Sequence, residues 1–137
     1  MGNRKASAKP RQRSPSGWWV AILIERFEFY DEDKKNPRRR CLVYENTVLL
    51  KACDAEVAYR KAVRLGKLSE SCECIDEKSR RKGKWKFEGL SDLLPVYEDI
   101  EDGAEILWRE HRNISVATAK AAVSKKRDLG AFRKRRA

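Results

Sequence analysis

The middle of the chain alternates between apolar and polar residues in a way that predicts strands. The apolar run from Trp18 to Ile24 passes into strict alternation up to Phe29, which is typical of a strand buried first on both faces and then on one. A polar loop over residues 31–40 separates it from a second alternating segment, residues 41–52. The pattern therefore predicts a long antiparallel hairpin.

A helical pattern follows this hairpin. Asp54 is well placed to cap the helix, because its carboxylate can accept hydrogen bonds from the free amides of the first turn. Apolar residues then recur at helical spacing from Ala55 to Leu65. Gly66 is expected directly after the last turn, where a left-handed backbone costs little.

The rest of the core returns to strand patterns. Gly89 is expected to mark a bend or bulge, and Asp102-Gly103 is typical of a hairpin turn. Strands are predicted over residues 71–76 and 84–90, and a return strand over 104–110. Between them, Pro95 indicates that residues 92–97 are an edge strand or the end of a strand. The predicted fold class is α+β: a single small domain with an antiparallel sheet in the order strand-strand-helix-strand-strand-strand and one helix packed on one face.

Composition divides the chain into three parts. Residues 1–17 are rich in Ser, Pro, Lys and Arg and lack apolar periodicity, which predicts a disordered basic arm. Residues 18–112 form the predicted α+β core. Residues 113–137 predict a basic, marginally helical tail, in which Ser115 caps a helix from Val116 to Arg127 with only a thin apolar stripe.

Five segments of the core carry a resemblance to a known family. They are WWVA at 18–21, DAEVAYRKA at 54–62, LGK at 65–67, WKFEGL at 85–90, and the hairpin from VYE at 96–98 to DG at 102–103. Together they resemble the bacterial domain of unknown function family numbered 4288, over about residues 18–110. The resemblance implies a shared fold and brings no activity, cofactor or catalytic residue. Both tails lie outside it.

The positive charge lies mainly at the two ends of the chain. Of the formal net charge of +11, residues 1–17 carry +5 and residues 113–137 carry +7, which leaves −1 for the core. Within the core, residues 34–40 and 78–84 each hold five bases and no acid. We expect the 78–84 turn to lie at the same end of the sheet as both tails, opposite the acidic turn at 98–103 and the 34–40 loop.

Basic arms of this kind bind phosphates without sequence preference, because each Lys or Arg contact releases condensed counterions. The alternative is that they only keep the protein soluble. No recognition motif for specific readout is present. The candidate nucleic-acid-binding residues are Arg4, Lys5, Lys9, Arg11, Arg13, Arg80, Arg81, Lys82, Lys125, Lys126, Arg127, Arg133, Lys134, Arg135 and Arg136.

The aromatic residues offer a second route to nucleic acid. Trp18, Trp19, Trp85, Phe87 and Trp108 could form a platform on which unpaired bases stack. The alternative is that these side chains form the core of a one-sided sheet beneath the helix. We favour the core, because a domain of this size needs large aromatic side chains to fold.

Catalytic and metal chemistry find little support. The only histidine, His111, lacks an identifiable triad partner, and no phosphate-binding glycine motif is present. Cys72 and Cys74 share one face of a predicted strand but lack the usual Cys-x-x-Cys spacing, so we expect packed thiols. The sequence therefore predicts no catalytic residue, no metal site and no cofactor.

These observations predict a non-enzymatic binding module whose basic tails associate with RNA or DNA. The alternative is a protein-interaction module of the immunity or antitoxin type, which would use an exposed sheet edge or the acidic hairpin. The longest apolar run has seven residues, against the about 20 that a membrane span needs, so we expect a cytoplasmic protein without a membrane partner. An unprotected edge strand would permit a dimer, and the oligomeric state is not predicted.

Overall fold

The computed structural model describes residues 13–71 and 73–134 of the 137-residue chain. These residues divide into two compact units, residues 13–107 and residues 108–134. The first unit consists of one antiparallel sheet and one main helix, which confirms the predicted α+β class. Its elements are β1 (Trp18–Phe29), β2 (Val43–Lys51), α1 (Ala55–Leu68), a 3₁₀ turn (Ser69–Ser71), β3 (Glu73–Ile75) and β4 (Lys82–Pro95).

The sheet has the order β2-β1-β4-β3, and every neighbouring pair is antiparallel. The predicted hairpin is present, with Trp18 opposite Lys51 across the β1–β2 pair. On its other side β1 pairs with β4, with Phe29 opposite Gly83. The apolar segment that begins β1 therefore lies between two neighbours, which is the position its pattern predicts.

The first half of β1 is covered on both faces. Trp19, Ala21 and Leu23 face α1 and pack with Ala58 and Ala62 of that helix. The Trp19 Nε1 atom donates a 3.1 Å hydrogen bond to a backbone carbonyl, so the largest core side chain has its polar atom satisfied. The opposite face is closed by the chain that follows β4. There Val20, Ile22 and Val96 are buried, with Trp18 and Leu107 beside them.

The ends of α1 differ from each other in how well the sequence predicts them. Asp54 is the N-cap, and its Oδ1 atom accepts a 2.9 Å hydrogen bond from the Val57 amide, as expected. Gly66 is not the residue after the helix, because α1 continues to Leu68 and Ser69 is the C-cap. Gly66 instead lets the helix approach the Phe87 ring, since a Cβ atom there would lie 2.6 Å from the Phe87 Cζ.

β4 joins two segments that the pattern separates. The predicted strand at 84–90 and most of the segment at 92–97 form one strand from Lys82 to Pro95. The register against β1 shifts twice, so no β1 residue lies opposite Glu88 or Ser91, and Gly89 between them has a φ of +140°. The expected bend at Gly89 is thus confirmed as a bulged region. The predicted return strand at 104–110 is not a strand.

The expected arrangement of charged ends is wrong. The prediction assumed that β3 runs parallel to β2. In the structure β3 is antiparallel to β4, which is itself antiparallel to β1, so β3 runs in the same direction as β1. The 78–84 turn consequently lies beside Phe29, about 35 Å along β1 from Trp18. It is next to the 34–40 loop rather than opposite it. The acidic 98–103 segment leaves the sheet at the Trp18 end, where the Val96 amide donates to the Trp18 carbonyl.

The second unit contains α2 (Val116–Ala121) and two 3₁₀ turns, Lys126–Asp128 and Gly130–Phe132. Ser115 caps α2 as expected, since its Oγ accepts a 3.0 Å hydrogen bond from the Thr118 amide. The helix ends at Ala121 rather than at Arg127 and buries no residue. No helix within residues 13–71 and 73–134 is long and apolar enough to cross a membrane.

Candidate nucleic-acid interface

Two basic loops meet at one end of the sheet, which we call the basic end. They are the loop after β1, residues 30–42, and the turn before β4, residues 76–81. The Tyr30 amide donates a 3.1 Å hydrogen bond to the Lys82 carbonyl, and the Phe27 amide donates one of 2.9 Å to Leu42. Residues 31–40 hold five bases and three acids, and residues 76–82 hold four bases and two acids. The two segments together therefore carry a formal charge of +4.

Arg81 ties the two loops together. Its Nε and Nη2 atoms both donate to Asp31, with Nε 3.1 Å from Oδ1, and its guanidinium carbon lies 3.9 Å from the centre of the Phe29 ring. The hydrogen bond from Arg81 holds the pKa of Asp31 below its usual range, and the same bond raises the pKa of Arg81. Arg81 therefore anchors the basic end, while its neighbours Arg80 and Lys82 remain exposed.

The 76–81 turn is closed by Asp76. Its Oδ2 atom accepts hydrogen bonds of 2.9 Å from the Ser79 amide and 2.6 Å from the Ser79 hydroxyl. These bonds lower the pKa of Asp76. Arg80 has a left-handed backbone with a φ of +61°, a conformation that costs a non-glycine residue about 1–2 kcal/mol. The turn thus holds an arginine where its backbone favours glycine or asparagine.

An ion-pair network fixes the 30–42 loop from the opposite face of the sheet. Arg26 lies 3.3 Å from both Glu28 and Glu88 and 3.5 Å from Glu32, and Lys34 lies 3.2 Å from Glu28. Burial alone would raise the pKa of Glu28, but its hydrogen bonds and charge interactions with Lys34 and Arg26 outweigh burial and lower it. The loop is therefore held in place by charges that face away from the helix.

On the face of the sheet that packs against α1, the helix does not reach the basic end. Ser69, the C-cap of α1, donates a 2.8 Å hydrogen bond to Glu25, so the helix ends over the middle of β1. β1 continues for four residues beyond Glu25. Side chains alternate along a strand, so Phe27 and Phe29 lie on the same face as Trp19 and Ala21, past the end of the helix.

Four aromatic side chains occupy this uncovered face. Phe27 is buried at 3% exposure and contacts Phe29 and Trp85 edge to face, with ring centres 5.0 and 5.3 Å away. Tyr44, from β2, lies 4.8 Å from Trp85 at an interplanar angle of 30° and is 50% exposed. Phe27 is thus the floor of the cluster, and Tyr44 presents an accessible ring face.

These aromatic side chains line a groove of about 680 Å³, which we call the aromatic groove. One wall is the end of the 30–42 loop, with Arg40 and Cys41, and the other is β3 with the turn that follows it, including Cys74 and Lys78. Asp76 and Glu77 also line it, so acceptors and cations are both present. The arrangement can bind a ligand that has flat rings, phosphates and hydroxyl groups.

The predicted binding residues fall in several places. Arg4, Lys5, Lys9, Arg11, Arg135 and Arg136 lie outside the described residues. Arg13 is exposed at the start of the first unit, and Arg80, Arg81 and Lys82 lie at the basic end. The predicted binding residues of the second unit, Lys125, Lys126, Arg127, Arg133 and Lys134, are all exposed.

The second unit has its own basic cluster. Lys126 Nζ lies 5.1 Å from the Phe132 ring centre, and Arg133 donates a 2.9 Å hydrogen bond to the Asp128 carbonyl. Because these contacts use side chains separated by only a few residues, they order the cluster locally. The five predicted bases of this unit therefore share one short surface segment.

The residues of the predicted aromatic platform do not lie together in the structure. Trp19 is fully buried and Phe87 packs beneath α1, which confirms the favoured interpretation for these two residues. Trp85 instead lines the aromatic groove. Phe29 and Tyr44 were not among the aromatic residues predicted from the sequence. Their closeness in sequence to the basic 34–40 segment could have identified them.

Residues that suggested other chemistry remain separate. Among the described residues, no group of three or more His, Cys, Asp and Glu side chains is placed to hold a metal ion. Cys72 lies outside the described residues, Cys41 and Cys53 are exposed, and Cys74 is partly buried. His111 is exposed in the second unit.

Comparison with known proteins identifies the family but no characterised relative. No curated protein and no solved structure matches the chain. The family model described as Domain of unknown function (DUF4288) matches residues 18–108, which include the whole sheet and α1. Because the match covers more than half of the 137 residues, the chain belongs to the DUF4288 family.

Proposed function

We propose that this protein is a non-enzymatic binding module that associates with nucleic acid through exposed basic residues. The observation that carries the proposal is the meeting of the 30–42 loop and the 76–81 turn at one end of the sheet. Lys35, Arg38 and Lys78 are exposed there, and none of the ion pairs within the described residues uses them. These cations are available to phosphates, and each contact releases counterions.

The conformation of Arg80 supports the same role. Its left-handed backbone is unfavourable for an arginine, and residues held in such conformations cluster at functional sites. The side chain projects from a turn whose own hydrogen bonds are supplied by Asp76 and Ser79. The turn therefore does not need the guanidinium of Arg80, which is free to meet a phosphate.

The test uses the full chain and three variants matched in charge, each with three bases replaced by Gln. Binding to mixed-sequence RNA and DNA is measured by fluorescence anisotropy at several salt concentrations. The three sets are Lys35, Arg38 and Lys78 at the basic end, Lys125, Lys126 and Arg127 in the second unit, and Arg60, Arg64 and Lys67 on the outer face of α1.

The basic-end variant is expected to bind more weakly and to reduce the steepness of log K against log salt by about 2–3, since each of the three lost phosphate contacts removes about 0.7–0.9. The α1 variant serves as the control and should bind like the parent. Equal losses in all three variants would show attraction to net charge without a site. Absence of binding by the parent at low salt would overturn the proposal.

A second candidate function is supported by the edge of the sheet. β2 is a nine-residue edge strand with Val43 and Leu49 exposed at 45% and 42%. Long edge strands pair readily with other chains, so a protein partner can add a strand there. A Leu49→Lys variant would block such pairing while leaving the basic end intact. With a second copy of the chain as the partner, loss of self-association in sedimentation, with RNA binding unchanged, would support this function, and a parent that sediments as a monomer would count against it.

A further inference from the structure

We infer that the aromatic groove is a stacking site for unpaired bases and that the ligand it fits is single-stranded RNA. This inference rests on the proposed association with nucleic acid and assigns it a site and a substrate class. It starts from the position of the groove. Its rings lie between the two basic loops, so a strand held by its phosphates at the basic end passes its bases over Tyr44 and Trp85.

The ring geometry suits stacking. Tyr44 is half exposed and is backed by Trp85, which in turn contacts the buried Phe27. An accessible ring that is supported from behind is preorganised, because little side-chain freedom remains to be lost on binding. Phe29 also lines the groove, and the Arg81 guanidinium, held by Asp31, lies over the Phe29 ring. Planar guanidinium groups provide a second surface for bases.

The acidic members of the groove favour RNA over DNA. Glu77 is exposed and lines the groove beside Lys78. A carboxylate repels phosphates but accepts hydrogen bonds, and the 2′-hydroxyl of RNA supplies a donor that DNA lacks. Asp76 is already bound to Ser79, so Glu77 is the acceptor that a ribose can reach. Duplexes present neither exposed base faces nor a strand thin enough for the groove.

The experiment compares four full-length proteins: the parent, Tyr44→Leu, Tyr44→Phe and Tyr59→Leu. Tyr59 is the matched control, because it is also 50% exposed but lies on α1. The probes are a mixed-sequence single-stranded RNA, the same sequence as single-stranded DNA, and the RNA duplex. Circular dichroism checks that each variant keeps the parent's fold.

Tyr44→Leu is expected to bind single-stranded RNA about five- to tenfold more weakly, the lower part of the range for loss of one stacked base. Tyr44→Phe and Tyr59→Leu should bind like the parent, and duplex binding should be the same for all four proteins. If Tyr44→Leu binds single-stranded RNA like the parent, the groove is not the site, although the proposed function stands. If single-stranded DNA binds as tightly as RNA, the assignment to RNA fails.

A second measurement needs no variant. Cys41 lines the groove, whereas Cys53 is an exposed thiol at the other end of β2. Trypsin cleaves after Arg40, Lys51 and Arg60, so each thiol is read in its own peptide. Single-stranded RNA should slow alkylation of Cys41 by iodoacetamide and leave Cys53 unchanged. Equal rates at Cys41 with and without bound RNA would overturn the inference.

Discussion

Replacement of Gly66 by Ala tests how closely α1 lies against the sheet. Gly66 is buried within α1, and an added Cβ would lie 2.6 Å from the Phe87 Cζ and closer still to Cδ1 and Cε1. Ordinary carbon contacts begin at about 3.5 Å, so the helix and the ring must separate by about 1 Å. The ring is fixed in the core beneath α1, and moving the helix would also loosen Ala58 and Ala62.

The net effect is a balance of two terms. Overpacking a core costs about 1–3 kcal/mol, and three close ring atoms place this site toward the upper end. Alanine is favoured over glycine within a helix by about 1 kcal/mol. The free energy of unfolding should therefore fall by about 1–2 kcal/mol, which corresponds to a decrease in Tm of roughly 5–15 °C for a domain of this size.

Urea unfolding monitored by circular dichroism measures this change. The same substitution in a Phe87→Leu protein tests whether the Phe87 ring is its cause. In a Phe87→Leu protein the ring is absent, so Gly66→Ala should become neutral or stabilising by up to about 1 kcal/mol. Gly130→Ala is the control, because nothing lies within 4 Å of a Cβ there. If Gly66→Ala stabilises the parent protein, the close approach of helix and ring is refuted.

Two further predictions concern the basic end. The pKa of Glu28 is lowered in the fold, so its contribution to stability is present above its ordinary value of 4.5 and is lost as the pH falls through the lower folded value. Urea unfolding between pH 7 and pH 3 should show this loss, and Lys34→Gln should move it to higher pH. Arg80→Gly relieves a left-handed backbone and should raise the free energy of unfolding by about 0.5–1 kcal/mol, while anisotropy shows weaker RNA binding. An unstable Arg80→Gly protein would contradict the strain argument.

The local sequence pattern predicts much of the fold, but it does not predict the direction of β3 or the end of α1. Alternation predicts β1 and the hairpin with β2, and a single carboxylate before an amphipathic run predicts the start of α1. The direction of β3 depends on how the chain turns after α1, and no periodicity reports that geometry. Ser69, the C-cap of α1, donates a hydrogen bond to Glu25, a residue 44 positions earlier in the chain. Long-range contacts of this kind are invisible to a window of neighbouring residues.

The same limit explains why the candidate site was only half predictable. Alternation assigns Phe27 and Phe29 to one face of β1 and Trp85 to one face of β4, but a face becomes core or surface according to what covers it. Here α1 covers the first part of that face and ends before the last part, so identical patterns produce a buried Trp19 and an accessible Tyr44. The length of the helix therefore determines where the aromatic groove begins. The position of the groove between two basic loops follows from the antiparallel pairing of β4 with β1, and net charge alone does not reveal it.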